Sequence, residues 1–158
     1  MTTELDRTHL KKFLDGQNVA VISTVNSVGL PDAAPIFFLC REDMSFQFVT
    51  PVETSKAMNI VGKPNVVLTI TDEANRETVR VNGIAVEQKD ALTEVLFLLA
   101  KKLNGDDHVL MTLPLLKHTG QAKTVYHILP SSIVFRKYHN HGMSEEKFEF
   151  TKSAIVTG

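Results

Sequence analysis

The sequence predicts a mainly β protein, an antiparallel sheet closed into a small barrel with helices packed outside it. Three observations carry the prediction. Short runs alternate between apolar and polar residues with the period of a strand, as in Phe46-Gln47-Phe48-Val49-Thr50. Turn residues punctuate these runs at Asn26-Ser27-Val28-Gly29, Gly62-Lys63-Pro64-Asn65 and Asp72-Glu73-Ala74-Asn75. Most neighbouring runs are joined without a long helix, which favours antiparallel pairing, and closure removes the bare edges of the sheet.

Taken in order, Thr3 to Leu14 reads as a helix with Leu5, Leu10, Phe13 and Leu14 near helical spacing, stopped by Gly16. Asn18 to Val25 is a strand. Ala33 to Cys40 is a second, at an edge or bulged, because Pro35 cannot donate to a ladder. Arg41 to Met44 is a hairpin turn and Ser45 to Thr50 a third strand. A short helix opens at Thr54-Ser55, and Val66 to Thr71 is the next strand. Thr78 to Gln88 is a long strand broken by Gly83, a bulge or a close backbone approach. Asp90 to Leu103 is a helix with a stripe of Leu92, Val95, Leu96, Leu99 and Leu103, widened by Phe97 and Leu98 so that more than one face is covered. Asp106 and Asp107 can start another helix toward Leu116, which Pro114 must kink or end. Thr124 to Leu129 and Ser132 to Tyr138 are strands separated by Pro130.

The 158 residues read as one domain, with a core at about 10–138 and a polar C-terminal tail at 139–158. Charged residues make up 22% and apolar ones 43%, the balance of a soluble globular protein. A net charge of -1 with no basic block argues against a nucleic-acid binder driven by phosphate contacts. No apolar run approaches membrane-spanning length, and the polar, acidic start is not a signal peptide, so the cytoplasm is the expected compartment. Cys40 is the only cysteine, which excludes a disulfide framework and a cysteine-rich zinc site.

The stretch Val49 to Ile60 carries the chemistry. A strand ends, the chain passes Pro51, and a helix opens at Thr54 and Ser55, both good N-cap residues. The free N–H groups of a first turn and the positive end of its dipole attract an anion. Lys56 adds a full charge where a cation is normally disfavoured, which points to an anionic guest, a phosphate.

Four runs in order, residues 20–39, 48–60, 63–70 and 79–87, resemble the pyridoxamine 5'-phosphate oxidase-like flavoproteins. The most specific pieces are Thr54-Ser55-Lys56 followed by Lys63-Pro64-Asn65-Val66, and the run Val79-Arg80-Val81-Asn82-Gly83-Ile84-Ala85. The resemblance implies a six-stranded antiparallel split β-barrel and a homodimer with flavin mononucleotide (FMN) at the interface. It places Ser55 and Lys56 on the flavin phosphate and Thr50 near the ribityl chain or phosphate. Pro35, Ile36, Phe37 and Phe38 match the strand whose backbone runs along the ring, and Thr78 a polar position facing it. The chain departs from the oxidase itself: its second strand has no cation before Arg41, and it has no Trp. It is closer to the smaller, general stress protein-type relatives, and pyridoxamine phosphate is not the expected substrate.

The expected function is therefore an FMN-binding oxidoreductase using a nicotinamide or other small reductant on a small molecule. The alternatives are a deazaflavin (F420) reductase and a protein that holds flavin or haem without turnover. Since a flavin carries its own redox chemistry, no catalytic side chain is expected. Of the remaining groups, His139 and His141 lack further metal ligands and read as solvated, and Asp106-Asp107-His108 reads as a helix start. Cys40 reads as a small buried filler and Phe46 and Phe48 as barrel core. His127 is either a surface residue or a site edge, and His9 and His118 have no evident partner.

Overall fold

The computed structural model describes residues 5–104 and 121–151. The elements are α1 (Arg7–Gly16), β1 (Val19–Val25), β2 (Pro31–Phe37), β3 (Leu39–Cys40), β4 (Phe46–Pro51) and α2 (Ser55–Gly62). Then follow β5 (Asn65–Asp72), β6 (Glu77–Glu87), a 3₁₀ turn (Lys89–Ala91), α3 (Leu92–Asn104), β7 (Lys123–His139) and β8 (Gly142–Glu149). The expected helix between Asp106 and Leu116, with His108 and Pro114, and His118 lie outside the described residues, as does the proposed helix start at Thr3.

All strands pair antiparallel in the order β2-β1-β5-β6-β7-β4-β3, with β8 added on β7. Only Phe38 separates β2 from β3, so one stretch of chain lies on β1 at its start and on β4 at its end. That stretch bridges the two ends of the sheet and curls it into a split barrel. With β2 and β3 taken together, the barrel strands are β1, β2/β3, β4, β5, β6 and β7, six in all. Pro35 sits on β2, the end of the ordered sheet, where its missing N–H costs no ladder bond.

Three features differ from the sequence reading. Helix α1 starts after Asp6, whose carboxylate accepts from His9 N at 2.8 Å; this cap offsets an unpaired first-turn N–H. The two strands expected on either side of Pro130 are one strand, β7. Residues Lys123–Ile128 of β7 pair with β4 and Ser132–His139 with β8, so Pro130 falls between the two partners, where no N–H is required. On its other side it faces Gly83 at a bulge. The segment read as a polar tail instead turns at Asn140-His141 and returns as β8, with Phe148 and Phe150 packed partly against the core.

The alternation of each strand sends one row inward. Ala20, Ile22, Phe48, Leu68, Val81, Ile128 and Phe135 fill the barrel. Helix α1 closes one mouth: Leu10, Phe13 and Leu14 are buried, and the His9 and Phe13 rings lie 5.2 and 5.4 Å from Phe135. Each such buried side chain contributes about 1.5–3 kcal/mol. Glu77, buried at this mouth, is neutralised by Lys137 Nζ at 3.0 Å and lies 3.2 Å from His9 Nε2. Helix α3 packs outside, setting Val95 and Leu99 on Val49 and Val125. The expectation that Phe97 is also covered does not hold among the described residues, where it is 46% exposed.

Lys102 ties α3 to the barrel. Its Nζ donates to Phe38 O at 2.9 Å and to Leu14 O at 3.4 Å and stands 3.9 Å from the Phe38 ring centre. Burial pushes its pKa down to about 8, with Cys40 and Asp15 acting the other way. The unfolded chain therefore binds this proton more tightly between about pH 8 and the ordinary value of 10.5. The Lys102 contribution to stability should be lowest below pH 8 and rise through that window. Urea unfolding of wild type and Lys102→Met from pH 7.5 to 10 checks this: the variant is expected to lack that part of the rise.

Candidate functional site

Helix α2 lies across the mouth opposite α1, contacting β1 and β2 and setting Ala57 and Ile60 into the barrel core. Its start is built by a local hydroxyl cluster. Thr54, not Ser55, is the N-cap: it is extended, and its Oγ1 accepts from Ala57 N at 3.4 Å and donates to Pro51 O at 3.0 Å. Thr50 Oγ1 lies 3.0 Å from Thr54 Oγ1, at the end of β4. Asn59 Nδ2 donates to Thr24 Oγ1 at 3.0 Å, and Tyr126 Oη donates to Ala57 O at 3.4 Å, docking the helix on β1 and β7.

This arrangement leaves three donors unpaired. The N–H groups of Ser55 and Lys56, the first two of the helix, find no acceptor among the described residues. The half-buried Lys56 ammonium has no hydrogen bond or ion pair with a described residue either. Burial holds its pKa below the ordinary lysine value, and the Asp32 carboxylate, on β2, draws it back up. Three unpaired donors, one of them charged, belong to the first two residues of α2, and a helix N-terminus stabilises an anion.

The structure sorts the residues expected from the sequence. Ser55 is exposed and Lys56 half-buried at the helix start. Thr50 stands beside them but is 0% exposed, with its hydroxyl turned to Thr54, so it shapes the helix start from behind. Along β2 the side chains alternate: Pro35 and Phe37 point to the outer face with Val21 and Val19, and Ile36 is turned inward with Ala20. Phe38, at 0% exposed, belongs to the core beneath Lys102, so what it can offer a ligand is its backbone. Phe37 packs partly against the cluster under α3. From Pro31 at this mouth to Phe37, β2 runs about 20 Å. Thr78 shares the outer face but lies on β6, with β1 and β5 between it and β2, about 14 Å across the sheet.

The other candidates fall into structural roles. His127 is half-buried on the outer face, away from Lys56, and its Nδ1 lies 3.1 Å from Gln88 Nε2. Gln88 Oε1 in turn accepts from Gln47 Nε2 at 2.8 Å, which leaves the buried Gln47 Oε1 without a protein partner among the described residues. Burial lowers the His127 pKa, with Asp43 opposing. Burial likewise pushes the Cys40 thiol up to about 12, so it stays protonated and inert. His9 has a partner the sequence did not suggest, Glu77. His139 bonds Ser144 Oγ in the β7–β8 turn at 2.9 Å. Among the described residues no three His, Cys, Asp or Glu side chains gather as a metal site, and no helix is long and apolar enough to cross a membrane. Asp32 is the site residue that the sequence reading missed; only the pairing of β2 with β1 brings it near α2.

Comparison with known proteins gives concordant results. A family model described as Pyridoxamine 5'-phosphate oxidase matches residues 7–130. A curated relative, the pyridoxine/pyridoxamine 5'-phosphate oxidase of Azorhizobium caulinodans, is 29% identical over 87 residues, which are 55% of this chain and 41% of that protein. The match thus spans less than half the length of that relative. Among solved structures, a pyridoxamine 5'-phosphate oxidase-related, FMN binding protein from Nostoc punctiforme superposes with a TM-score of 0.65 at 12% identity. That superposition covers 96% of this chain and 100% of that one. General Stress Protein 26 from Bacillus anthracis superposes with a TM-score of 0.61 at 20% identity, over 90% and 99% of the two chains. At these identities the two structures establish the split-barrel fold and nothing finer.

Proposed function

This chain belongs to the pyridoxamine 5'-phosphate oxidase family, and on that premise we propose that it binds FMN and works as an oxidoreductase on a small molecule. The observation that carries this reading is the set of unpaired donors at the start of α2: the Ser55 and Lys56 N–H groups and the half-buried Lys56 ammonium. They suit a phosphate. The outer face of β2, led by Pro35 and Phe37, offers the apolar strip along which a flavin ring would lie. When bound, the flavin supplies the electron transfer. The chain's own residues hold the phosphate, orient the ring and exclude water from one side of it.

The other side is left to a second copy of the chain. Val19 and Val21, beside Phe37 and Pro35, are 48% and 41% exposed, an apolar surface suited to pairing with a partner. Pyridoxamine phosphate is a poor candidate substrate, because β2 carries Asp32 and no cation along Pro31–Phe37.

The purified protein's visible spectrum, with FMN added, tests the reading. A two-banded yellow spectrum bleached by NADH or NADPH supports the oxidoreductase. A bound flavin that neither reductant bleaches leaves a carrier. A colourless protein that takes up deazaflavin (F420) in preference supports the alternative reductase, which the same phosphate cradle would serve, and a Soret band points to haem.

A further inference from the structure

We propose that Asp32 is a specificity-determining residue of this site: its carboxylate opposes a dianionic phosphate at Lys56 and narrows the preference for phosphorylated over unphosphorylated flavin. The inference rests on the flavin reading above. Asp32 faces Thr24 across the β1–β2 ladder. Thr24 Oγ1 in turn accepts from Asn59 Nδ2 at 3.0 Å. Asn59 follows Lys56 by three residues on α2, so the two side chains leave the same side of the helix. Two links, one backbone ladder and one side-chain bond, thus set Asp32 and Lys56 on one rim of the barrel.

Asp32 is not neutralised there. Its Oδ1 accepts from the N–H of Ala33 at 3.0 Å, and it has no cation in ion-pair reach among the described residues. Its neighbours on β2, Pro31, Ala33 and Ala34, carry no charge. The rim therefore brings the positive Lys56 and the negative Asp32 together, and a phosphate carrying nearly two negative charges meets both. The attraction to Lys56 is partly cancelled by repulsion from Asp32, which acts through a half-buried, incompletely screened setting. Riboflavin has the same ring and ribityl chain without the phosphate and escapes the repulsion.

The test titrates the full chain with FMN and with riboflavin by fluorescence quenching, comparing wild type with Asp32→Asn and Asp32→Ala. Asn keeps the oxygen that accepts from Ala33 N–H, so the strand is undisturbed. The expected result is FMN binding about tenfold tighter in both variants at low salt, with riboflavin affinity unchanged and the gain shrinking as salt rises. A second readout needs no ligand: in protein carrying ¹³C-methylated lysines, the Lys56 signal should titrate at lower pH once Asp32 is removed. If wild type binds FMN and the variants bind it no better, or gain equally for both flavins, the role of Asp32 is overturned and the flavin reading stands. An unmoved Lys56 titration overturns it as well. If neither wild type nor variants take up either flavin, both proposals fall.

Discussion

Replacing Lys56 by Ala should weaken FMN binding about 10–100-fold, the equivalent of one charge-assisted hydrogen bond of about 1.5–3 kcal/mol. The thermal midpoint of the free protein should hardly move, because the ammonium has no hydrogen bond or ion pair with a described residue to lose, and the burial that holds it part-way out of water opposes its attraction to Asp32. Riboflavin should be bound as before, since the loss concerns the phosphate alone. Fluorescence-quenching titrations with both flavins, beside a melting curve without ligand, separate the effects. Unchanged FMN affinity would remove Lys56 from the site. A loss shared equally by FMN and riboflavin would mean that the substitution had disturbed α2 rather than the cradle.

The largest stability effect is expected at Gly83. A Cβ there would stand 2.6 Å from Leu129 O and 3.1 Å from Ile128 Cγ2. The nearer atom is backbone and cannot swing away, so Gly83→Ala must push β6 off β7 at the bulge between Asn82 and Gly83. Overpacking of this kind costs about 2–3 kcal/mol, which for a chain of this size lowers the melting midpoint by about 5–10 °C. An Ala variant that melts with the wild type would show that the two strands can part here without loss. Ala at Gly16 or Gly62, where a Cβ meets nothing within 4 Å, serves as the control.

The strands that could be read from the sequence are those with one buried face. In β1, β5 and β6 the neighbours of a core residue point elsewhere, and the pattern of two survives in the letters; β4 is covered on both faces, and only the polar Gln47 between Phe46 and Phe48 keeps its period visible. It fails in β8, where Glu145, Glu146 and Lys147 are exposed and only Ser144 and Phe148 are half-covered: with both faces largely solvated, nothing marks the strand. It misleads at Pro130, whose tolerance depends on partners that change along one edge of β7, a fact no local window contains. The site divides in the same way. The start of α2 was legible because capping is a short-range matter among Thr54, Ser55 and Lys56. The burial of the Phe38 ring was not legible, because a side chain at the break between two strands follows the core, not the alternation of either strand. Asp32 was invisible because its meaning comes from Thr24 and Asn59, joined to it by one ladder and one tertiary bond.

The bridging of the sheet ends also orders events during synthesis. The residues of the β1–β2 and β5–β6 hairpins, and of the pairing of β1 with β5, are all synthesised before β7 and can pair without it. Strand β4, with Phe46 and Phe48, has only the two residues of β3 as a sheet partner until His127 arrives opposite Gln47. A nascent chain therefore carries an oily ribbon with one edge unpaired until β7 is made, and the burden of keeping it from other ribbons falls on whatever attends the polypeptide as it emerges.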